Sequence, residues 1–567
     1  MEKALARRDV NKRTLNDYIL DESETFEIIG PARMRLHRTK REYTWYVRDG
    51  MHVRSPVRFE GVTVGEASRD TYEKRWIARE RERQERKNKN PDEKESKQIT
   101  VSPSEISTTI VPTEPRFVSE AYFMDFKFEP GNYFLTGREK LEGQDVLRIE
   151  YYPERLFSDD DKKTPKEIKK ESRKARRERD VEKDIERKMN KTALVTLWVD
   201  PTNHQIVKYT FDNVWLDFLP AAWLVRVDSM KASMTMSQPF AGVWLPRDIK
   251  ISAGVSLANG EFDANYDRAF AEYREADVKS RIRIPKAPDP DAGKAVPDPN
   301  QDLWEEWEAG AGPFNPQGPE VARTDPVQET GTVQEIVREV RVHGNAQLAD
   351  VEILKIAGIA LNSALLEGGL AAIERRLKGS GRFETVDVRK RYRSIDDATD
   401  IALILLVHEK ATVVADPITG APMTRPTRWI SSRLMFLPIL SYADGYGFTY
   451  GARVSTQDLL GLGERLSVPA TWGGTRRVAL EAERTFTRGL FTRLFSTATL
   501  VQRENPRYEL DDRRVELRAR AERNVAQIVF AGIETSRASI TFADLDDTMW
   551  TLGADAAIDT RGNPAFP

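Results

Sequence analysis

The sequence predicts a mostly β fold with one small α+β unit set between two β-rich parts. Three observations predict it. Runs of β-branched and aromatic residues bounded by turn residues recur through residues 1–284. After a proline-rich stretch come a strand, two helical periodicities and two further strands. From residue 428 onward, strand after strand alternates charged with apolar side chains.

Composition narrows the classes. The chain has 567 residues, 88 basic and 90 acidic side chains, five histidines and no cysteine. Disulfides, thiolate metal sites, iron–sulfur clusters and cysteine nucleophiles are therefore excluded. A net charge of −2 gives no global attraction to nucleic acid or anionic lipid, so no nucleic-acid partner is expected. The longest apolar runs, 401–407 and 219–225, are far short of the ~20 residues a spanning helix needs. The first twenty residues lack the apolar core of a signal peptide, which implies a cytoplasmic protein or a missing start.

In the first part, 34–49 and 51–60 read as strands, with Asp49-Gly50 between them as a hairpin signal. Further strands are expected at 133–135, 146–151, 194–200, 206–211, 223–236, 243–252 and 261–273. Together they form a meandering antiparallel sheet with an apolar face to cover. Residues 66–98 and 158–191 are runs of mixed charge with few apolar residues, read as solvated helices or disordered insertions at the sheet's loops. The sharper reading of 169–179, a basic patch that touches phosphate, is opposed by the acids interleaved around it.

Residues 285–327 hold nine prolines and read as an extended linker, with Trp304 and Trp307 as its unusual members. The α+β unit spans 328–410. A strand at 337–342 ends in His343-Gly344-Asn345; helices follow at 349–357 and 365–378, the second with Leu366, Leu370, Ile373 and Leu377 on one face. A strand at 383–391 alternates, and 401–408 is continuously apolar, as for a strand buried on both faces.

From 428 to 567 eight strands are expected, at 433–443, 446–456, 465–471, 477–484, 491–503, 513–520, 527–537 and 548–559. In the fourth, Arg477, Ala479, Glu481 and Glu483 alternate with Val478, Leu480 and Ala482. Such alternation fits a membrane barrel with a polar lumen; a soluble sheet with one solvated face shows it too. Strands of about 9–11 residues suffice to cross a bilayer.

These residues carry a resemblance. Residues 337–388 resemble a POTRA domain, through the strand ending in Gly344-Asn345, the helix leading to Ala357-Gly358-Ile359, and Ser380-Gly381-Arg382-Phe383. Residues 442–474, YADGYGFTYGARVSTQDLLGLGERLSVPATWGG, look like the opening barrel strands of the BamA/TamA-like outer-membrane assembly factors. The family's Val/Ile-Arg-Gly-Phe/Tyr loop motif is absent and only about eight of sixteen strands are present. The chain is accordingly expected to be a fragment at both ends. Residues 194–211 and 243–252 resemble the half-barrel of LolA-like lipoprotein carriers, in which Trp198, Trp215, Trp223 and Trp244 would line a concave lipid-facing side or form plain core.

The resemblance implies a bacterial outer-membrane protein whose N-terminal half lies in the periplasm and which assembles, inserts or translocates outer-membrane proteins. Its partners would be the outer-membrane bilayer and unfolded outer-membrane protein clients. The edge Thr385, Val386, Asp387, Val388 and Arg389 would accept a partner strand by β-augmentation. A barrel seam strand would hold Leu434, Phe436, Pro438 and Leu440, with Pro438 suiting an edge because it lacks a donor. The alternative is a lipid- or lipoprotein-binding module anchored by a barrel, taking acyl chains; a third reading is an entirely soluble interaction protein.

No cofactor, metal site or catalytic residue is expected. The chain has no Gly-x-Ser-x-Gly elbow, phosphate-binding loop or dinucleotide fingerprint. Its five histidines are scattered, and paired acids such as Asp511-Asp512 and Asp546-Asp547 read as polar turns. No enzyme is implied.

Overall fold

A computed structural model describes residues 1–89, 126–157, 173–276, 335–415 and 422–561, apart from short gaps within those ranges. The expected linker at 285–327, with Trp304 and Trp307, lies outside the described residues, as do Asp49-Gly50, 90–98 and 158–172.

The first sheet is built from α1 (Glu2–Thr14), β1 (Tyr18–Ile29), β2 (Arg35–Arg48), β3 (Met51–Phe59), β4 (Val62–Thr63), α2 (Glu66–Lys89), β5 (Tyr133–Leu141), β6 (Gln144–Tyr151), α3 (Arg173–Thr192), β7 (Ala193–Asp200), β8 (Gln205–Asn213), β9 (Val225–Phe240), β10 (Val243–Leu257) and β11 (Gly260–Glu275). Strands β5 to β11 follow one another as an antiparallel meander, and β11 then pairs with β1, so that β1 to β4 extend the far edge. All strands expected in this part are present, several of them longer. Strand β1 was not expected. Its sequence YILDESETFEII places Glu22 and Glu24 on the same side as Leu20, and both acids are buried.

What makes that possible is a buried ion cluster. Arg54 of β3 reaches Glu22 at 2.6 Å and also pairs with Glu24, while Arg268 of β11 reaches Glu22 at 2.8 Å. The Arg54 guanidinium lies 3.6 Å over the Tyr43 ring, and the Trp45 indole donates to Glu22. Burial alone would push the Glu22 carboxyl up; the two arginines override it and hold it at about 2.

The inner face of this sheet is filled from the same chain. Ala4, Leu5 and Leu15 from the N-terminal segment, Trp76 and Ile77 from α2, and Phe126 join Val195, Leu197, Tyr209, Met234 and Ile249 in one core. The expectation of a merely solvated charged insertion at 66–98 is therefore corrected for its described part. Helix α2 docks through a stripe of four side chains spaced along one face, Tyr72, Glu73, Trp76 and Ile77. Trp76 meets Trp45 edge-on at 5.6 Å, and buried Glu73 accepts from Tyr46 at 2.6 Å and pairs with Arg48 at 3.1 Å.

The α+β unit comprises β12 (Ile336–His343), α4 (Asp350–Ala357), β13 (Ser363–Ala364), α5 (Gly369–Gly379), β14 (Phe383–Tyr392) and β15 (Asp400–Glu409). Its sheet order is β13-β12-β15-β14, with β12 and β15 parallel. The helix expected from 365 begins later, and Leu366 is exposed rather than on its apolar face. Gly368, in the left-handed region at φ +74°, starts α5 there instead. Strand β15 is buried on both faces, as expected. One face joins the unit's own core; the other, Ala402, Ile404 and Leu406, packs on Phe134, Tyr152 and Leu194 of the first sheet. The two sheets also run on edge to edge, where Tyr392 of β14 pairs with Leu135 of β5.

A short hairpin, β16 (Val413–Ala415) with β17 (Pro422–Thr424), follows. Then come β18 (Leu434–Ala443), β19 (Gly447–Gln457), β20 (Glu464–Gly473), β21 (Arg476–Thr485), β22 (Arg493–Asn505), β23 (Leu510–Val525), β24 (Val529–Phe542) and β25 (Leu545–Ile558), in one open antiparallel sheet whose order is the chain order. All eight strands lie where the sequence places them. The chain is mostly β, with large antiparallel sheets and, among the described residues, no closed barrel.

Candidate strand edges and a two-faced sheet

The eight-stranded sheet separates its side chains by chemistry. The register runs Val478↔Leu500↔Val515 and Leu480↔Ala498↔Leu517, and Tyr450↔Trp472 continues the same face. These large apolar residues are exposed; Leu480 is 57% and Leu517 59% accessible. Two shallow depressions of about 520 and 480 Å³ lie on that face where small residues such as Ala482, Ser496, Ala519 and Thr535 sit among large ones. Arg537 interrupts it, its guanidinium 5.4 Å over the exposed Trp550 ring.

The opposite face is a ladder of ion pairs across seven strands, β19 to β25. Arg453 pairs with Glu481 at 2.9 Å, Arg465 and Arg493 both hold Glu483, Arg493 reaches Glu522 at 3.2 Å, and Arg520 links Glu522, Glu534 and Asp555. Glu481 and Glu483 are buried. A single surface pair contributes little, but a shared network of partly buried pairs holds its members in one geometry. The shortest strands have 10 residues and the longest 16. At ~3.4 Å per residue and ~45° tilt, ten residues rise about 24 Å, the height of the apolar band of a membrane barrel.

Strand β18 forms one end of this sheet and β25 the other. The Phe436 amide donates to the Trp223 carbonyl at 2.8 Å, so the amides of this register point away from β19. Leu434, Phe436, Pro438 and Leu440 share that outward register, and Pro438 stands at a position where no ladder donor is used.

The other candidate edge is β14. Thr385, Val386, Asp387, Val388 and Arg389 all pair with β15 on one side; on the other, Tyr392 is the residue of this strand that backbone-pairs with β5 among the described residues. Val386 and Val388 face the unit's core. Arg389 pairs with Asp387 at 2.7 Å and lies 3.5 Å from Glu150 of β6, and Arg391 grips Glu150 at 2.7 and 2.8 Å. Tyr152 adds a hydroxyl to the same carboxylate at 2.5 Å. Burial would raise the Glu150 pKa; the arginines and the hydroxyl bring it below the ordinary range instead. Sequence reading missed Glu150 and Arg391, because neither sits in a local pattern that points to the other across 241 residues.

The three described members of the tryptophan set, Trp198, Trp223 and Trp244, do not share one face. Trp198 alternates with inward Leu197 and lies among charges, donating to Glu139 with Lys208 5.1 Å over its ring. Trp244 is buried in the core. Trp223 lies in the turn before β9 and packs on Phe436 at 6.1 Å. Trp215 lies outside the described residues. A shared concave lining is thus not seen for the three described, and Trp244 takes the plain-core alternative; residues on successive strands share a face only by register, which tryptophan spacing along the chain does not report.

Among the described residues no three His, Asp or Glu side chains gather as metal ligands, and no helix is long and apolar enough to cross a membrane. No protein family model matches the chain, and no curated protein is similar to it. Solved structures are similar to part of it. BamA from Haemophilus ducreyi lacking POTRA domains 1–3 is 14% identical over 41% of this chain and 46% of that chain, with a TM-score of 0.21. CdiB from Acinetobacter baumannii is 9% identical over 46% and 66%, and CdiB from Escherichia coli 11% over 42% and 59%, each with a TM-score of 0.15. The chain thus spans less than two thirds of each of these structures.

Proposed function

We propose that the chain is an outer-membrane protein in which the eight-stranded sheet lies in the bilayer as part of a barrel wall. The exposed apolar face meets lipid and the arginine–glutamate face meets an aqueous lumen. The first sheet and the POTRA-like unit stand on the periplasmic side. The observation that carries this reading is the separation of faces across all eight strands: in water the exposed leucines, valines and aromatics would form an apolar surface far beyond what a soluble monomer presents.

In this reading the work is assembly, insertion or translocation of outer-membrane proteins by backbone pairing. The outward edges of β14 and β18 offer main-chain donors and acceptors to an extended client strand, with little demand on its sequence and no catalytic group. The full chain, reconstituted in liposomes, should resist extraction at high pH and speed the folding of an outer-membrane barrel client. Extraction with the soluble fraction, or an unchanged client folding rate, counts against it.

The carrier reading keeps one point of support. Across β1, β9 and β10 the inner face of the first sheet carries Phe26, Met230, Ile251 and Ala253, which are only half-buried. Native mass spectrometry of the full chain distinguishes the readings, since a carrier retains acyl ligand and an assembly factor with a filled interior does not.

A further inference from the structure

The start of the eight-stranded sheet is held by two neighbouring points of the first sheet, one on β18 and one on β19 and β20 beside it. On the outer edge, the Trp223 carbonyl takes the Phe436 amide at 2.8 Å and the indole packs on the Phe436 ring. On the inner face, the Ala258 carbonyl at the β10–β11 hairpin tip accepts from Ser455, the neighbour of Met435, and from Arg465 at 3.0 Å. Met435 and Ala258 are both fully buried.

The two points are one rigid piece. Val225, two residues after Trp223, pairs with Leu257, the residue before Ala258. Behind the tip, Gly260 at φ +151° lies so close to Pro31 that a Cβ there would come within 2.3 Å of it. The tip therefore has a fixed seat, and the jaws cannot part without moving the β9–β10 ladder.

We propose that the first sheet clamps β18 and occupies the lower part of its free edge. While the clamp is shut, an extended strand can pair with β18 only beyond Pro438, through the amides of Leu440 and Tyr442; when the clamp releases, the edge from Leu434 upward is open. The clamp stands on geometry alone. Only the identity of the incoming strand as a client rests on the function proposed above.

The absence of cysteine makes the test direct. In the full chain in detergent, the pairs W223C/F436C and A258C/S455C are treated with a short bifunctional thiol reagent, with single-cysteine chains as controls. Both pairs should cross-link in most molecules. Hydrogen exchange of the segment 434–437 should be slow in the unmodified chain and accelerate about tenfold in W223G/R465A, while β7 of the first sheet is unaffected. The conservative W223F should retain slow exchange, which separates loss of the clamp from misfolding. Absence of cross-linking in both pairs, or exchange at 434–437 as fast in the unmodified chain as in W223G/R465A, overturns the clamp. Either result leaves membrane insertion, and with it the proposed function, untouched.

Discussion

Two buried residues give the chain distinct responses to acid. His343 ends β12 against Tyr152, rings 5.0 Å apart, and burial, with the Lys191 charge beside it, pushes its pKa down to about 3. The folded protein thus keeps a neutral imidazole that the unfolded chain protonates below its ordinary value of 6.5. Stability from this residue is complete above pH 6.5 and is lost as pH falls toward 3, by about 2 kcal/mol at pH 5. Denaturant melts at pH 7.5 and 5 should show that loss, and His343→Phe should remove most of it. Glu22 acts in a lower window. Its depressed pKa gives stability that is present above the unfolded value of 4.5 and lost as pH falls toward about 2. Glu22→Gln takes one of two carboxylates from buried Arg54 and the Glu22 carboxylate from buried Arg268, and should cost about 3–5 kcal/mol in a urea melt at neutral pH. Neither residue was legible in the sequence. An acid in DESETFE reads as surface until its arginines arrive from β3 and β11, and a lone histidine at a strand end gives no sign of what covers it.

At the scale of elements, alternation carried most of the information. The eight C-terminal strands and the doubly buried β15 follow from side-chain period alone, because a one-residue slip would exchange the two faces. Helices were harder. In α2 four docking residues are outvoted by charge over 24 positions, and the start of α5 is decided by backbone geometry at Gly368 rather than by the leucine spacing. Face identity also makes a prediction within β23. Leu517→Arg, on the exposed apolar face, should cost about 2–4 kcal/mol of folding into lipid, while Thr497→Arg, on the ionic face of β22, should cost much less. Urea titration of folding into liposomes reads both; equal costs would mean that the faces do not see different solvents.

For the whole molecule, the three parts are joined by named contacts among the described residues. The shared core of Phe134, Tyr152, Leu194 and Ile404, closed by Glu150 with Arg391, packs the first sheet and the α+β unit together. Glu150→Ala leaves Arg391 at a buried junction without its carboxylate, and limited proteolysis should then cut between the units at least several-fold faster. None of this joint could be read from the sequence, where the two units are separated by a proline-rich stretch and look independent. The central claim is that the eight-stranded sheet faces lipid on one side and water on the other. Single cysteines along β21 and β22 of the cysteine-free chain, labelled with an environment-sensitive dye in liposomes containing brominated lipid, test it most directly. Labels at 478, 480, 498 and 500 should be quenched and those at 479, 497 and 499 should not; uniform quenching, or none at any position, would contradict it.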